Sequence, residues 1–310
     1  MVPLVLAVVL GLVAAYLAVS AALYRYLFVP AARGMQEDFL FTPWEFQADY
    51  EEVELVTADG INFGAWHFRQ PGSPQTVIIS GGHKGQRQSL LGIAIGLWRK
   101  GFNVILYSYR GYPGSDRAPV TLGIDEVKEL QAVIAFARQR IKHARIGLLG
   151  NSMGAVVSLL GAAGEPGVEA LVLDSPFADL RLLLRDAIWC LAHLPGAPFI
   201  FAVGLLFRLR TGSSLAEASP LSVLSALEPR PLFFIHGGAD SLIPVSHSRL
   251  LYDAYRGPRE IWIVQGSPHC GAYVADRELY LERLAGFFGR HLGLKGTGQL
   301  RLLEEGEEVS

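Results

Sequence analysis

The chain has 310 residues, 51% of them hydrophobic, and a formal net charge of −2. That is enough apolar material for one α/β domain of roughly 250 residues with a segment to spare. The balanced charge excludes a protein held to nucleic acid by a basic surface. Two cysteines, Cys190 and Cys270, exclude a disulfide scaffold; they have no metal-ligand spacing and read as small buried apolar residues.

Residues 4–24 carry no charge and consist largely of Leu, Val and Ala, about the length a helix needs to cross a bilayer. Tyr16, Tyr24 and Tyr26 suit membrane interfaces. Arg25 and Arg33 follow the run and no Lys or Arg precedes it, which points to a cytoplasmic domain behind a single crossing. A cleaved leader, with Ala18-Val19-Ser20 as a small-x-small site, and a buried helix are the alternatives. Segment 1–29 is therefore read as a transmembrane anchor and 30–50 as a linker. Pro30, Gly34 and Pro43 interrupt the linker, and its aromatics Phe39, Phe41, Trp44 and Phe46 are expected to pack on the domain.

From 51 to 293, short β-branched runs alternate with stretches of helical spacing. Residues 53–57 and 61–68 flank Asp59-Gly60, a hairpin turn signal. Further strands are expected at 77–79, 104–107, 146–149, 170–173, 232–235 and 261–264, with helices at 87–100, 121–139, 153–163, 245–256 and 276–292. Such alternation predicts an α/β fold, a mostly parallel sheet with helices on both faces. The uncharged stretch 187–207 is broken by Pro195, Gly196 and Pro198 and reads as two short helices rather than a second crossing. The last segment, 294–310, is a polar acidic tail expected to fray.

The chemistry concentrates in Gly150-Asn151-Ser152-Met153-Gly154, placed between an expected strand and an expected helix. A sharp strand-to-helix turn with glycines on either side lifts a serine hydroxyl above the carboxyl edge of a sheet. A serine needs a positioned base. His269, in Gly266-Ser267-Pro268-His269 after the strand 261–264, lies in a loop on that same edge. The base needs an acid to fix its tautomer. Asp240, in His236-Gly237-Gly238-Ala239-Asp240, follows the strand 232–235 and completes the chain order Ser152, Asp240, His269; Asp174 is the competitor. His236 reads as structural. Oxyanion donors are expected from the Met153 amide and from the loop Ser80-Gly81-Gly82-His83-Lys84-Gly85, through His83 or Gly82.

Together with Thr57-Ala58-Asp59-Gly60, Tyr109-Arg110-Gly111-Tyr112-Pro113-Gly114-Ser115 and Ser175-Pro176-Phe177, these motifs resemble the α/β-hydrolase superfamily over residues 52–289. More narrowly they resemble bacterial serine aminopeptidase-like and dienelactone-hydrolase-like proteins with an N-terminal membrane segment. The resemblance implies an α/β-hydrolase fold and a serine hydrolase, whose acyl-transfer mechanism needs no metal or organic cofactor; a small acyl ester or thioester is the expected substrate, lipid-derived by proximity to the membrane segment and to an apolar slot at 187–207. A peptidase, or a silent binding module on the membrane, are the alternatives. Two departures stand out. Many relatives carry His-Gly where Ser80-Gly81-Gly82 stands, and Ser108 replaces an Asp before the Tyr-Arg-Gly-Tyr loop, which leaves Arg110 without its usual partner. Oligomeric state is not legible.

Overall fold

A computed structural model describes residues 2–29, 41–85, 87–193 and 195–294. Eight strands form one sheet: β1 (Tyr50–Val56), β2 (Asn62–Phe68), β3 (Gln75–Ser80), β4 (Asn103–Tyr107), β5 (Arg145–Asn151), β6 (Val168–Asp174), β7 (Leu232–Gly237) and β8 (Arg259–Val264). Their order is β1-β2-β4-β3-β5-β6-β7-β8. The pairs β1–β2 and β2–β4 are antiparallel and every other pair is parallel. The helices are α1 (Val2–Phe28), α2 (Leu91–Arg99), α3 (Val127–Arg140), α4 (Met153–Ala163), α5 (Leu180–Ala192), α6 (Gly196–Thr211), α7 (Leu224–Leu227), α8 (Ser246–Ala254), α9 (Ala272–Ala275) and α10 (Arg277–Leu292).

The central strands are buried on both faces because successive side chains feed opposite layers. Ile78 and Leu148 join the layer holding α3, α4 and the end of α1. Val77, Ile79 and Leu149 join the layer holding α2 and α10. Each expected strand is present, and α4 spans the expected 153–163. The stretch 187–207 divides at Pro195 between α5 and α6, as its breakers imply.

Three expectations are corrected. Helix α3 begins at Val127 rather than 121. The Glu126 carboxylate accepts from the Thr121 amide and hydroxyl and from the Gly123 amide at 2.7–2.8 Å, tying residues 121–126 into a closed turn. The linker aromatics do not pack inward: Trp44 is 76% exposed and Phe41 is exposed beside it. Phe41 precedes and Trp44 lies within a short 3-10 turn, Pro43–Phe46, which a Thr42–Glu45 capping box closes. Cys270 is half-buried at a cavity rather than in the core. The linker residues 30–40, Phe39 among them, the tail 295–310 and the Cys190 side chain lie outside the described residues.

Arg110 finds its partners in two places distant along the chain. Its guanidinium donates to both oxygens of Asp59, in the β1–β2 turn, at 2.9 and 3.1 Å, and to Glu129 of α3 at 2.7 Å. Glu129 is fully buried, and burial pushes its carboxyl up to about 7 against the pull of Arg110. Removing one member of such a pair strands the other. Arg110→Ala is expected to lower the unfolding free energy by about 3–5 kcal/mol, measured by urea denaturation; the double change with Glu129→Leu should recover part of it.

His67 gives a pH signature. Its ring is buried edge-on to Phe136, at 5.6 Å, with no hydrogen-bond partner on either nitrogen among the described residues. Burial pushes it down to about 4. An unfolded chain takes up this proton below about pH 6.5, the folded one only near pH 4, so stability is complete above 6.5 and falls as pH drops through that window. The shift corresponds to about 3 kcal/mol. His67→Phe is expected to flatten the acid limb by most of that amount, read as the change in unfolding free energy between pH 7 and pH 4.5.

Candidate active site

β5 ends at Asn151 and α4 begins at Met153, so Ser152 alone makes the turn. Its backbone has φ 55° and ψ −117°, a region in which non-glycine residues are strained by about 1–3 kcal/mol. The surroundings hold it there. The Ser152 amide donates to the Asp174 carbonyl at 2.7 Å. The flanking glycines are required by space: a Cβ on Gly150 would strike the backbone of Gly154 and Ala155, and one on Gly154 would strike the Ser80 and Gly81 carbonyls. Chain β3 thus approaches the first turn of α4 closely enough to bring its own loop over the serine.

The structure brings Ser152, His269 and Asp240 together. His269 Nε2 lies 2.9 Å from Ser152 Oγ, and His269 Nδ1 lies 2.6 Å from Asp240 Oδ2. The serine hydroxyl can donate to Nε2 because the carboxylate accepts the hydrogen on Nδ1. Loop placement depends on Gly237 at the end of β7, where a Cβ would collide with the Ser267 and Pro268 carbonyls. The Ala239 amide also donates to the Ser267 carbonyl at 2.9 Å. The two loops that carry Asp240 and His269 are therefore stitched to each other.

Asp240 has a buried carboxyl held from three sides. Oδ1 accepts from the Leu242 and Ile243 amides at 2.9 and 2.8 Å, and Oδ2 faces His236 Nε2 at 3.3 Å as well as His269. Burial pushes its pKa up, but the hydrogen bonds from His236, His269 and Ile243 outweigh that and hold it below the usual carboxylate range. His236 thus braces the acid rather than only filling the core. Its Nε2 also donates to the Ile243 carbonyl at 2.8 Å, which leaves Nδ1 to accept from Ser248 at 2.7 Å. Proximity of His236 to Asp240, four residues apart across a strand end, is the signal that sequence reading passed over.

Asp174, the competitor, lies beneath the turn. It accepts from Tyr280 and Ser175 at 3.0 Å, and burial pushes it up to about 6. No hydrogen bond joins it to His269 among the described residues. Cys270 holds its thiol 3.7 Å from His269 Nε2, and burial raises that thiol well above its ordinary value.

On the other side of Ser152 runs the 80–85 loop. A Cβ at Gly82 would sit 3.5 Å from that of Ser152. Among the described residues, the amides of Met153, Gly82 and His83 are given to no protein acceptor. The His83 side chain is turned away to Tyr112, with Nδ1 2.7 Å from the hydroxyl, and burial pushes it down to about 4. The Lys84 amide is committed to the same tyrosine. With the Lys84 amide taken, the Gly82 and His83 amides remain available as oxyanion donors on this loop.

These groups open on a cavity of about 420 Å³, within the usual range for small-molecule sites. Leu90, Ile93, Phe177 and Ile243 make it largely apolar, and Tyr26 and Leu27 of α1 close one side.

Sheet order, strand-to-helix serine turn and cavity define the alpha/beta hydrolase fold. Comparison with known proteins agrees. The family described as alpha/beta hydrolase fold matches residues 77–196, a span that contains Ser152 and ends before Asp240 and His269. The uncharacterized protein YqkD of Bacillus subtilis is 29% identical over 246 residues, 77% of this chain and 80% of its own. The alpha/beta hydrolase domain-containing protein WAV2 of Arabidopsis thaliana is 25% identical over 282 residues, covering 87% and 89%. Among solved structures, the esterase Pf2001 of Pyrococcus furiosus superposes with a TM-score of 0.70 at 23% identity, covering 86% of this chain and 98% of that one. These likenesses show the fold.

Proposed function

We propose that the protein is a membrane-anchored serine hydrolase that cleaves a carboxylic ester or thioester through an acyl-enzyme. The hydrogen-bonded line Ser152–His269–Asp240 carries this reading. His269 Nε2 takes the serine proton as Oγ attacks the carbonyl carbon. The negative oxygen then rests on the Met153 amide, at the positive end of α4, and on a loop amide, each worth on the order of 3–4 kcal/mol. His269 returns the proton to the leaving alcohol or thiol, and water repeats the sequence to free the acid.

Anchoring rests on α1. Its stretch Val9–Phe28 is long and apolar enough to cross a membrane. Phe28, at its end, is 1% exposed and stacks on Phe207 of α6 with ring centroids 4.7 Å apart. Cleavage at Ala18-Val19-Ser20 would leave Phe28 in place but remove Tyr16, which donates to the Pro198 carbonyl and packs on Phe199, together with the buried Ser20; these contacts favour a retained anchor over a cleaved leader. Arg25, just inside the end of the apolar run, favours a cytoplasmic domain. Incubation with a fluorophosphonate tests the chemistry: a covalent mass increase on the peptide containing Ser152 is expected, and a folded protein that acquires none would move the reading to a silent binding module.

A further inference from the structure

We infer that the site is loaded from within the bilayer: α6 lies partly immersed beside α1, and the substrate is a long-chain acyl ester of a membrane lipid that enters past Tyr26 and Leu27. This rests on the serine-hydrolase reading above for its chemistry and on α1 as the crossing segment.

Length carries the first step. Helices α1 and α6 run side by side in the same direction. Tyr16 donates to the Pro198 carbonyl at 2.6 Å and packs on Phe199, and twelve residues on, Phe28 packs on Phe207. The stretch of α1 long and apolar enough to cross a membrane is Val9–Phe28, 20 residues and about 30 Å at roughly 1.5 Å per residue. The hydrocarbon layer is about 30 Å thick. A crossing by this stretch includes the turns from Tyr16 to Phe28, and these lie against α6. The first half of α6, to about Leu205, is carried into the lipid with them.

The surface of α6 suits that position. Phe199, Val203 and Phe207 face inward; Val203 and Phe207 are buried in the core. Phe201, Leu205 and Leu209, on the opposite face, are 73%, 51% and 74% exposed. A helix that is apolar all round belongs in a core or a membrane, and no core covers this face among the described residues. Charge begins only at Arg208 and Arg210, level with the end of α1. Arg25 lies on the last turn of α1, and Lys84 Nζ sits 3.7 Å from the centre of the Tyr26 ring. Arg25, Lys84, Arg208 and Arg210 at one level mark a headgroup boundary; Arg185 of α5, beside Gly196 at the other end of α6, is paired with Asp186 at 2.9 Å.

The cavity opens at that level. Tyr26 and Leu27 line it together with Ser152, His269 and Leu183 of α5. A lipid ester lies at the border of headgroup and hydrocarbon, so its carbonyl meets Ser152 while its chain follows the apolar wall.

The full chain, reconstituted in phosphatidylcholine–phosphatidylglycerol vesicles, tests this with two substrates: a fluorogenic long-chain phospholipid in the vesicle and soluble p-nitrophenyl butyrate. The double variant Phe201→Asp/Leu205→Asp should keep butyrate hydrolysis within about twofold and lose at least tenfold on the vesicle lipid. In parallel, Phe201→Trp should give a tryptophan quenched by bromine-labelled lipid chains. Equal lipid turnover by parent and double variant, or an unquenched tryptophan, overturns immersion. An unquenched tryptophan with a chemically cross-linked dimer would assign the face to a second copy. Butyrate turnover without lipid turnover by the parent overturns the substrate class alone. Hydrolysis of neither overturns the serine-hydrolase reading, and quenching then still decides immersion.

Discussion

Ser152→Ala is expected to abolish the fluorophosphonate adduct and to lower kcat on a p-nitrophenyl ester by on the order of 10⁶-fold. The hydroxyl is the atom to which the surrounding groups are directed: His269 at 2.9 Å, the Met153 amide beside it, and the loop amides across from it. Removing it leaves the base and the oxyanion donors in place, so a residual rate of about 10³–10⁴ over water is expected. The backbone should not move, because its unusual φ is set by the Asp174 carbonyl and by contacts of Gly150 and Gly154 rather than by the hydroxyl. Parent and variant should therefore unfold at the same urea concentration while differing in kcat. An alanine variant with parent-like turnover would place the chemistry elsewhere.

The second large effect concerns the acid. In Asp240→Asn the two oxygens cease to be equivalent. The Leu242 and Ile243 amides both donate to Oδ1, so the acceptor oxygen of an asparagine must stay there. Its NH₂ group then faces His269 Nδ1. That nitrogen must become an acceptor, its hydrogen moves to Nε2, and Nε2 can no longer take the serine proton. His236 offers no escape, since its Nε2 hydrogen also points to this side of the carboxylate and to the Ile243 carbonyl. A loss of about 10⁴ in kcat is expected, the size of effect that a wrong tautomer produces in serine proteases, with KM nearly unchanged. Steady-state kinetics on a short soluble ester separates the two constants. A loss under tenfold would shift the role to Asp174.

Ser152 was legible in the sequence because its turn leaves no room for side chains on either side, and that shortage is written as glycine at 150 and 154. His269 and Asp240 were legible because each follows a short β-branched strand, and parallel strands deliver such loops to one edge. What the sequence left open depends on groups far apart along the chain. Arg110 meets Asp59 and Glu129 only once the first hairpin folds over α3. Glu126 closes a turn over residues that read as helix by spacing alone. The contact of Tyr16 with Pro198 joins positions 182 apart, and nothing in an apolar N-terminal run reveals which of its faces will touch protein. Trp44 misled for the opposite reason: aromatic character suggests burial, yet its short 3-10 turn is closed without it.

The fit of Phe28 against Phe207 makes α1 a strut rather than a leash. A domain on a flexible tether would tumble and search a hemisphere of solvent for its substrate. One braced along the last half of its own anchor keeps a fixed tilt and a fixed height. With α1 crossing the membrane as proposed, its search is two-dimensional, set by how fast molecules diffuse sideways past a stationary doorway. The same bracing ties α1 to the site, because a fragment cut free of its first helix would lose the wall of its cavity formed by Tyr26 and Leu27.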